Sequence, residues 1–146
     1  MPDPEVLIRT ARVDDAPAIG ELITRLGYAT SSVQMAARLR TLLAHPDYRG
    51  VVGEVGGAVV GVAGGVVEHC FEMDGRAARL LILSVAPSYQ KRGIGHLLVR
   101  EIENWARDCG ATEIVVHSGL HRTDAHRFYE RVGYGGMGRR FVKRLA

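Results

Sequence analysis

The spacing of apolar residues changes several times along the chain, and each change predicts a new element. A strand pattern comes first, two helical segments follow, and from residue 50 the spacing is mainly that of strands joined by short turns. In chain order we expect a strand at 7–12, helices from Asp14-Asp15 to Leu26 and from Ser31 or Ser32 to about Ala44, strands at 51–55 and 58–62, a hairpin turn at 73–76, a strand at 80–85, a helix at 94–109, a strand at 114–116, a helix at 123–132, and strand material at 134 and 139–145. An antiparallel meander followed by a strand–helix–strand crossover makes a mixed sheet with helices on both faces. The pattern predicts one α/β domain over residues 1–146, with a mostly antiparallel sheet of six to seven strands and about four helices.

Three features of the strand region carry specific expectations. Gly56-Gly57 separates two strand patterns and predicts a two-residue hairpin turn. Gly64-Gly65 lies inside a strand pattern, which indicates a bulge or a close backbone approach. The unbroken apolar run at 80–85 is typical of a central strand buried on both faces.

Composition narrows the class of protein. At 146 residues, with 47% hydrophobic and 24% charged residues, the chain fits one globular domain and not a disordered or fibrous protein. No charge-free stretch reaches the roughly 18 apolar residues of a membrane span, and the start MPDPEVLIRT is unlike a signal peptide. Two cysteines, Cys70 and Cys109, are not expected to make a disulfide framework or a four-ligand zinc site. We therefore expect a cytoplasmic protein without a membrane partner.

The charge balance bears on the ligand. Nineteen Lys and Arg residues against sixteen Asp and Glu leave a net charge of only +3. A nucleic-acid groove usually shows a denser basic stripe with stacking aromatic side chains, so no nucleic-acid partner is expected. A small excess of arginine suits an anionic small molecule instead. His117, His121 and His126 lack the helical spacing and acidic companions of a metal site, so no metal is expected.

The segment from Val85 to His96 carries the most informative motif. A strand ends there, a polar loop follows, and Gly93 and Gly95 open an amphipathic helix. The first turn of a helix leaves about four N–H groups without partners, and these groups attract an anion together with the helix dipole. The P-loop string is absent, and the dinucleotide fingerprint fails at Leu98, where it requires a third glycine. The remaining pattern, a glycine-rich loop that opens a helix, favours a diphosphate as the ligand.

Two motifs resemble one known family. Gln90-Lys91-Arg92-Gly93-Ile94-Gly95, after a strand that ends Leu83-Ser84-Val85-Ala86-Pro87, is similar to the coenzyme A pyrophosphate loop of the GCN5-related N-acetyltransferase (GNAT) superfamily. The segment 125–134, AHRFYERVGY, resembles the closing signature of that family. Both motifs stand in the expected element order, so the chain is identified as a member of this superfamily, with the acyl-CoA N-acyltransferase fold.

The resemblance implies where acetyl-coenzyme A lies. In this family the fourth and fifth strands splay apart, and the pantetheine arm pairs with the open edge of the fourth strand. The implied coenzyme contacts are Leu83, Ser84, Val85, Gln90, Lys91, Arg92, Gly93, Ile94, Gly95, His96, Arg122 and Tyr129. Arg122 stands where the family commonly has Asn, so its role is open between the pantetheine arm and a phosphate.

The resemblance also implies the catalytic roles. Tyr129 is the expected general acid, which protonates the departing coenzyme thiolate. The base is open: Glu68 or Glu72 deprotonates the amine through water, or forms an ion pair with Arg79 instead, or no dedicated base exists. If residues 73–76 form a two-residue turn, Cys70 lies opposite Arg79 and both glutamates are its diagonal neighbours.

The implied activity is acetyl transfer from acetyl-coenzyme A to a primary amine by direct attack in a ternary complex. Tyr28, in the loop between the first two helices, either touches the amine or caps the core. The acceptor is a small-molecule or peptide amine, with the small molecule favoured, and a homodimer is expected from the resemblance. The rival function is a non-catalytic acyl-coenzyme A sensor.

Overall fold

The computed structural model describes residues 5–116, 123–136 and 141–145. The chain divides into two compact units, residues 1–115 and 116–146. The elements are β1 (Val6–Thr10), α1 (Ala16–Arg25), α2 (Ser32–Leu43), β2 (Tyr48–Val55), β3 (Ala58–His69), β4 (Arg76–Val85), α3 (Ile94–Asp108), β5 (Ala111–Val116) and α4 (Thr123–Arg131). Short 3-10 turns at Val13–Asp15 and Pro87–Tyr89 precede α1 and follow β4. The predicted order of elements is confirmed as far as α4.

The sheet has the strand order β1-β2-β3-β4-β5, and β1 to β4 pair antiparallel in sequence. The β2–β3 turn is the predicted two-residue hairpin: Val55 pairs with Ala58 across Gly56 and Gly57. Both glycines have positive φ, 58° and 81°. Most residues with a Cβ are strained in that region, so the turn favours glycine at both positions.

A β-bulge interrupts β4. Gly64 pairs with Ile82 and Gly65 pairs with Leu80, so Leu81 is the extra residue, opposite the glycine pair. The predicted irregularity at Gly64-Gly65 is therefore confirmed. The expectation that 80–85 is buried on both faces is wrong at Leu81, because the bulge leaves its side chain 44% exposed.

Helices cover both faces of the sheet in the first unit. On one face Ile19 and Leu22 of α1 and Leu39 of α2 form a core with the strand residues Val52 and Val62. The other face packs against α3, whose Leu98 and Ile102 are fully buried. Glycines in β3 allow this close approach: a Cβ at Gly61 would lie 2.9 Å from Leu98 Cδ1, and one at Gly65 2.8 Å from Ile102 Cγ2.

A charged network ties β1 to the start of α1. The guanidinium of Arg9 donates to both carboxylate oxygens of Asp15 at 2.8 Å and to Glu54 at 3.2 Å. Asp15 also accepts from the backbone N–H of Arg12 at 2.7 Å. The hydrogen bond to Arg9, assisted by that backbone N–H, outweighs desolvation and lowers the pKa of Asp15. The carboxylate form of Asp15 therefore contributes to the stability of the fold.

The strand count is a correction. The described residues form a five-stranded sheet rather than one of six to seven strands. Residues 134–136 and 141–145 are not strands, and 139–140 lie outside the described residues. Phe141 and Leu145 are about nine-tenths exposed. Strand propensity reflects packing on a half-buried surface, so apolar residues without that burial are not held as a strand.

The hairpin prediction at 73–76 is wrong as well. β3 and β4 are joined by six residues, 70–75, because His69 pairs directly with Arg76. Arg79 consequently pairs with Val66 and not with Cys70. Cys70 lies just beyond the strand in the loop.

Candidate functional site

The turn between β4 and α3 has an unusual backbone. Lys91 has φ 63° and Gly93, the N-cap residue of α3, has φ 83°. The first backbone hydrogen bond of the helix joins the N–H of Leu97 to the carbonyl of Gly93 at 3.1 Å. The N–H groups of Ile94, Gly95 and His96 precede that ladder and have no acceptor within the helix. A Cβ built at Gly93 meets no atom within 4 Å, so the space beside the turn is open.

Side chains around the turn hold it in place and add positive charge. Gln90 donates from Nε2 to the carbonyl of Val85 at 3.0 Å, which ties the loop to the end of β4. The guanidinium of Arg92 stacks 5.3 Å from the centre of the Tyr89 ring, within the range of a cation–π contact. Lys91 is an exposed cation in the same loop. Cationic groups beside open helix N–H groups suit a phosphate-bearing anion.

The three predicted residues of β4 differ in how they are used. Leu83 and Val85 pair with Ala63 and Gly61 of β3. Ser84 is buried, and its hydroxyl donates to the carbonyl of Leu22 in α1 at 3.0 Å. The side chain of Ser84 therefore anchors α1 to the sheet, so only its backbone remains for the predicted coenzyme contact.

The two candidate bases are separated by the observed register. Glu68 forms the ion pair with Arg79, and both side chains are nearly half exposed. Glu72 lies exposed in the β3–β4 loop, away from the strand face that was expected. Desolvation and the Glu72 charge raise the pKa of the Cys70 thiol, which disfavours a thiolate nucleophile there. The ion-pair alternative is confirmed for Glu68, and either base role stays a prediction.

Tyr28 and Tyr129 lie in different units. Tyr28 is 59% exposed in the loop between α1 and α2, so it does not cap the core. In the second unit, Tyr129 is half-buried on α4, and its ring meets those of Phe128 at 5.4 Å and Tyr134 at 5.8 Å. Its carbonyl accepts from the N–H of Tyr134 at 2.9 Å, which closes the end of α4. Arg122, the remaining predicted coenzyme contact, lies outside the described residues.

Sequence reasoning missed a cavity beside the bulge. It has a volume of about 220 Å³ and lies between α1 and α2 on one side and β2, β3 and β4 on the other. Its walls include Met35 and Leu39 from α2 and Leu81 and Ile82 from β4. The pair Gly50 and Gly64, opposite each other in the sheet register, could have indicated a missing side-chain layer at this point.

Two classes of feature are absent from the part of the chain that the structure describes. Within residues 5–116, 123–136 and 141–145, no three His, Cys, Asp or Glu side chains are grouped so as to hold a metal ion. The helices in these same ranges include none with the length and apolar character needed to cross a membrane.

Comparison with known proteins supports the sequence resemblance. A model of the acetyltransferase (GNAT) family matches residues 16–134. Over 88 residues the chain is 32% identical to the mouse (Mus musculus) protein named probable N-acetyltransferase family 8 member 5, a match that covers 60% of this chain and 39% of that protein. The chain spans about two fifths of the length of the curated relatives it matches.

Solved structures share the fold at low sequence identity. Aminoglycoside N-acetyltransferase AAC(6')-Iy in complex with CoA has a TM-score of 0.87 at 17% identity, covering 98% of this chain and 96% of that one. A transcriptional regulator from Bacillus halodurans C-125 has a TM-score of 0.89 at 19% identity, covering 97% and 100%. These likenesses show the fold, a mostly antiparallel α/β sheet with four helices. Since the family model matches well over half of the residues, the chain belongs to the GNAT acetyltransferase family.

Proposed function

We propose that this protein transfers the acetyl group of acetyl-coenzyme A to a primary amine in a ternary complex. The amine nitrogen attacks the thioester carbon, the new N–C bond forms, and the C–S bond breaks. The amine loses a proton, and the coenzyme leaves as a thiol after its sulfur takes one up. The observation that carries the proposal is the open, glycine-capped start of α3 in a chain of this family.

The β4–α3 turn is the proposed holder of the coenzyme pyrophosphate. The N–H groups from Lys91 to His96 supply donors, and the left-handed residues Lys91 and Gly93 turn the backbone there. Lys91 and Arg92 add charge that favours the anion. The CoA complex of the aminoglycoside N-acetyltransferase that shares this fold supports the choice of coenzyme.

Tyr129 is the proposed general acid, on the strength of the family signature around it. A tyrosine hydroxyl near the sulfur would donate the proton that the thiolate needs, a role typically worth about 10²–10⁴-fold in rate. We expect Tyr129→Phe to lower kcat by about that factor while the affinity for acetyl-coenzyme A stays within about twofold. Phe128→Leu, which alters the neighbouring ring on α4, is the matched control and should keep most of the activity.

The experiment that tests the function has two arms. Isothermal titration calorimetry of the purified chain with acetyl-coenzyme A measures binding, and release of free coenzyme thiol with a panel of amines measures transfer. Saturable binding together with amine-dependent thiol release is the expected result. Absence of binding at millimolar coenzyme in folded protein would overturn the proposal, and binding without thiol release across the panel would favour the sensor.

A further inference from the structure

The cavity beside the bulge is built to take an apolar group. Its walls are almost entirely apolar, with Met35, Leu39 and Leu42 of α2 facing Leu81 and Ile82 of β4. An apolar cavity of about 150 Å³ holds a benzene ring. A volume of about 220 Å³ is therefore sufficient for an aryl or a branched alkyl group. Burial of such a group removes apolar surface from water, which is the main favourable contribution to binding at this site.

The charged residues around the cavity are all of one sign. Arg38 and Arg49 are among its lining residues, and no Asp or Glu is. Arg38 is exposed on α2, where one guanidinium nitrogen donates to the Thr30 hydroxyl at 3.1 Å. That bond uses one of five guanidinium donors, and no ion pair of Arg38 occurs in the described part of the chain. An Arg at the edge of an apolar cavity favours a carboxylate.

The same charges disfavour a polycation. Each ammonium group of an aminoglycoside or a polyamine would need a carboxylate or several acceptors near it. Among the described residues no Asp or Glu lines the cavity, and Glu68 of β3 and Asp47 just before β2 already pair with Arg79 and Arg76. The cavity therefore does not favour an aminoglycoside, which is the acceptor class in the name of the N-acetyltransferase that shares the fold.

We propose that this cavity, the acceptor pocket, binds an amino acid with a large apolar side chain and presents its α-amino group for acetylation. The apolar side chain lies between α2 and β4, and the carboxylate pairs with Arg38. The inference rests on the proposed function. In that reaction the α-amino group of the bound amino acid attacks the thioester carbon, and the coenzyme leaves as a thiol. The location agrees with that chemistry, since Leu81 and Ile82 directly precede Leu83, a predicted pantetheine contact.

Binding is measured without transfer, by ¹⁹F NMR of 4-fluorophenylalanine added to the full chain saturated with coenzyme A. The matched probe is 4-fluorophenethylamine, which has the same ring and amine but no carboxylate. We expect the amino acid to bind about fivefold more tightly than the amine, the upper end for one ion pair at an exposed Arg. Arg38→Gln removes this preference, whereas Arg40→Gln, an exposed α2 residue that does not line the pocket, preserves it.

A filling variant tests the apolar part of the pocket. Leu42→Trp places a ring in the cavity and should abolish binding of both probes, while Val33→Trp, at an 80% exposed position on the same helix, should not. Thermal denaturation checks that each variant is folded. Arg38→Gln is a surface change, so it keeps the test decisive even if Leu42→Trp does not fold.

The outcomes separate this inference from the proposed function. Equal binding of the two probes, or an unchanged preference in Arg38→Gln, overturns the inference and leaves acetyl transfer standing. Efficient thiol release with neamine or spermidine, and none with phenylalanine, does the same. Failure to bind acetyl-coenzyme A overturns the proposed function itself, and the acceptor role of the pocket with it.

Discussion

Replacing Gly93 with alanine tests the anion site at the start of α3. Gly93 has φ 83°, and holding an L-residue in the left-handed region costs roughly 1–2 kcal/mol. A Cβ there meets no protein atom within 4 Å, so no steric clash adds to the cost. We expect the free energy of unfolding to fall by about 1–2 kcal/mol, which lowers the Tm by roughly 3–8 °C.

The chain offers a matched control at the other end of the same helix. Gly110 has φ 87°, and its Cβ would also meet nothing within 4 Å. Gly110→Ala should therefore cost the same stability as Gly93→Ala. Only the Gly93 variant places a methyl group in the open space where the pyrophosphate is expected, so only it should weaken acetyl-coenzyme A binding.

Calorimetry on both variants measures the difference. Loss of one charge-assisted hydrogen bond, at about 1.5–3 kcal/mol, corresponds to a loss of affinity of about tenfold or more for Gly93→Ala. Gly110→Ala should bind the coenzyme as the wild type does. If both variants lose stability equally and both keep the wild-type Kd, the first turn of α3 does not hold the phosphates.

Two further predictions concern charged residues. The folded state lowers the pKa of Asp15 below its ordinary 3.8, so the unfolded chain takes up a proton at this residue more readily as the pH falls. The stabilisation by the Asp15 carboxylate is therefore complete above pH 3.8 and is lost as the pH drops through the pKa of Asp15 in the folded state. In Asp15→Asn this part of the acid dependence should disappear from denaturant titrations between pH 2 and 5, and an unchanged dependence would contradict the assignment to Asp15. Glu68→Gln should keep kcat/KM within about threefold, because Arg79 already holds the carboxylate; a loss above about 10²-fold, with one ionisation missing from the pH–rate profile, would identify Glu68 as the base.

The sequence was informative wherever backbone chemistry is local. Gly56-Gly57 predicted its hairpin because only glycine takes two successive left-handed conformations cheaply. The glycine turn before α3 was predicted for a different reason, the access that Gly93 and Gly95 leave for an anion, and the structure adds that Gly93 has a positive φ. In both cases the positive φ restricts which residue type fits, so glycine marks the turn in the sequence.

Predictions that depended on distant partners were less successful. Asp74-Gly75 resembles a tight turn, yet the loop spans six residues, because strand pairing that begins at His69 and Arg76 decides where the hairpin opens. The cavity between α2 and β4 was not predicted, because its shape follows from how two helices rest on three strands. The homodimer and the single domain over 1–146 stay predictions from the sequence.

The extra residue in β4 lets one strand contribute side chains to two hydrophobic clusters on opposite faces of the sheet. Before Leu81, Ala78 belongs to the cluster that packs with Ala106 of α3; after it, Ile82 packs toward α1 and α2. In an uninterrupted strand these two positions, an even number of residues apart, would point the same way. The extra residue Leu81 therefore reverses which face of the sheet the side chains after it point to. Deleting this single residue would send Ile82 toward α3 and turn the Ser84 hydroxyl away from Leu22, so an indel here is far more damaging than one in a surface loop.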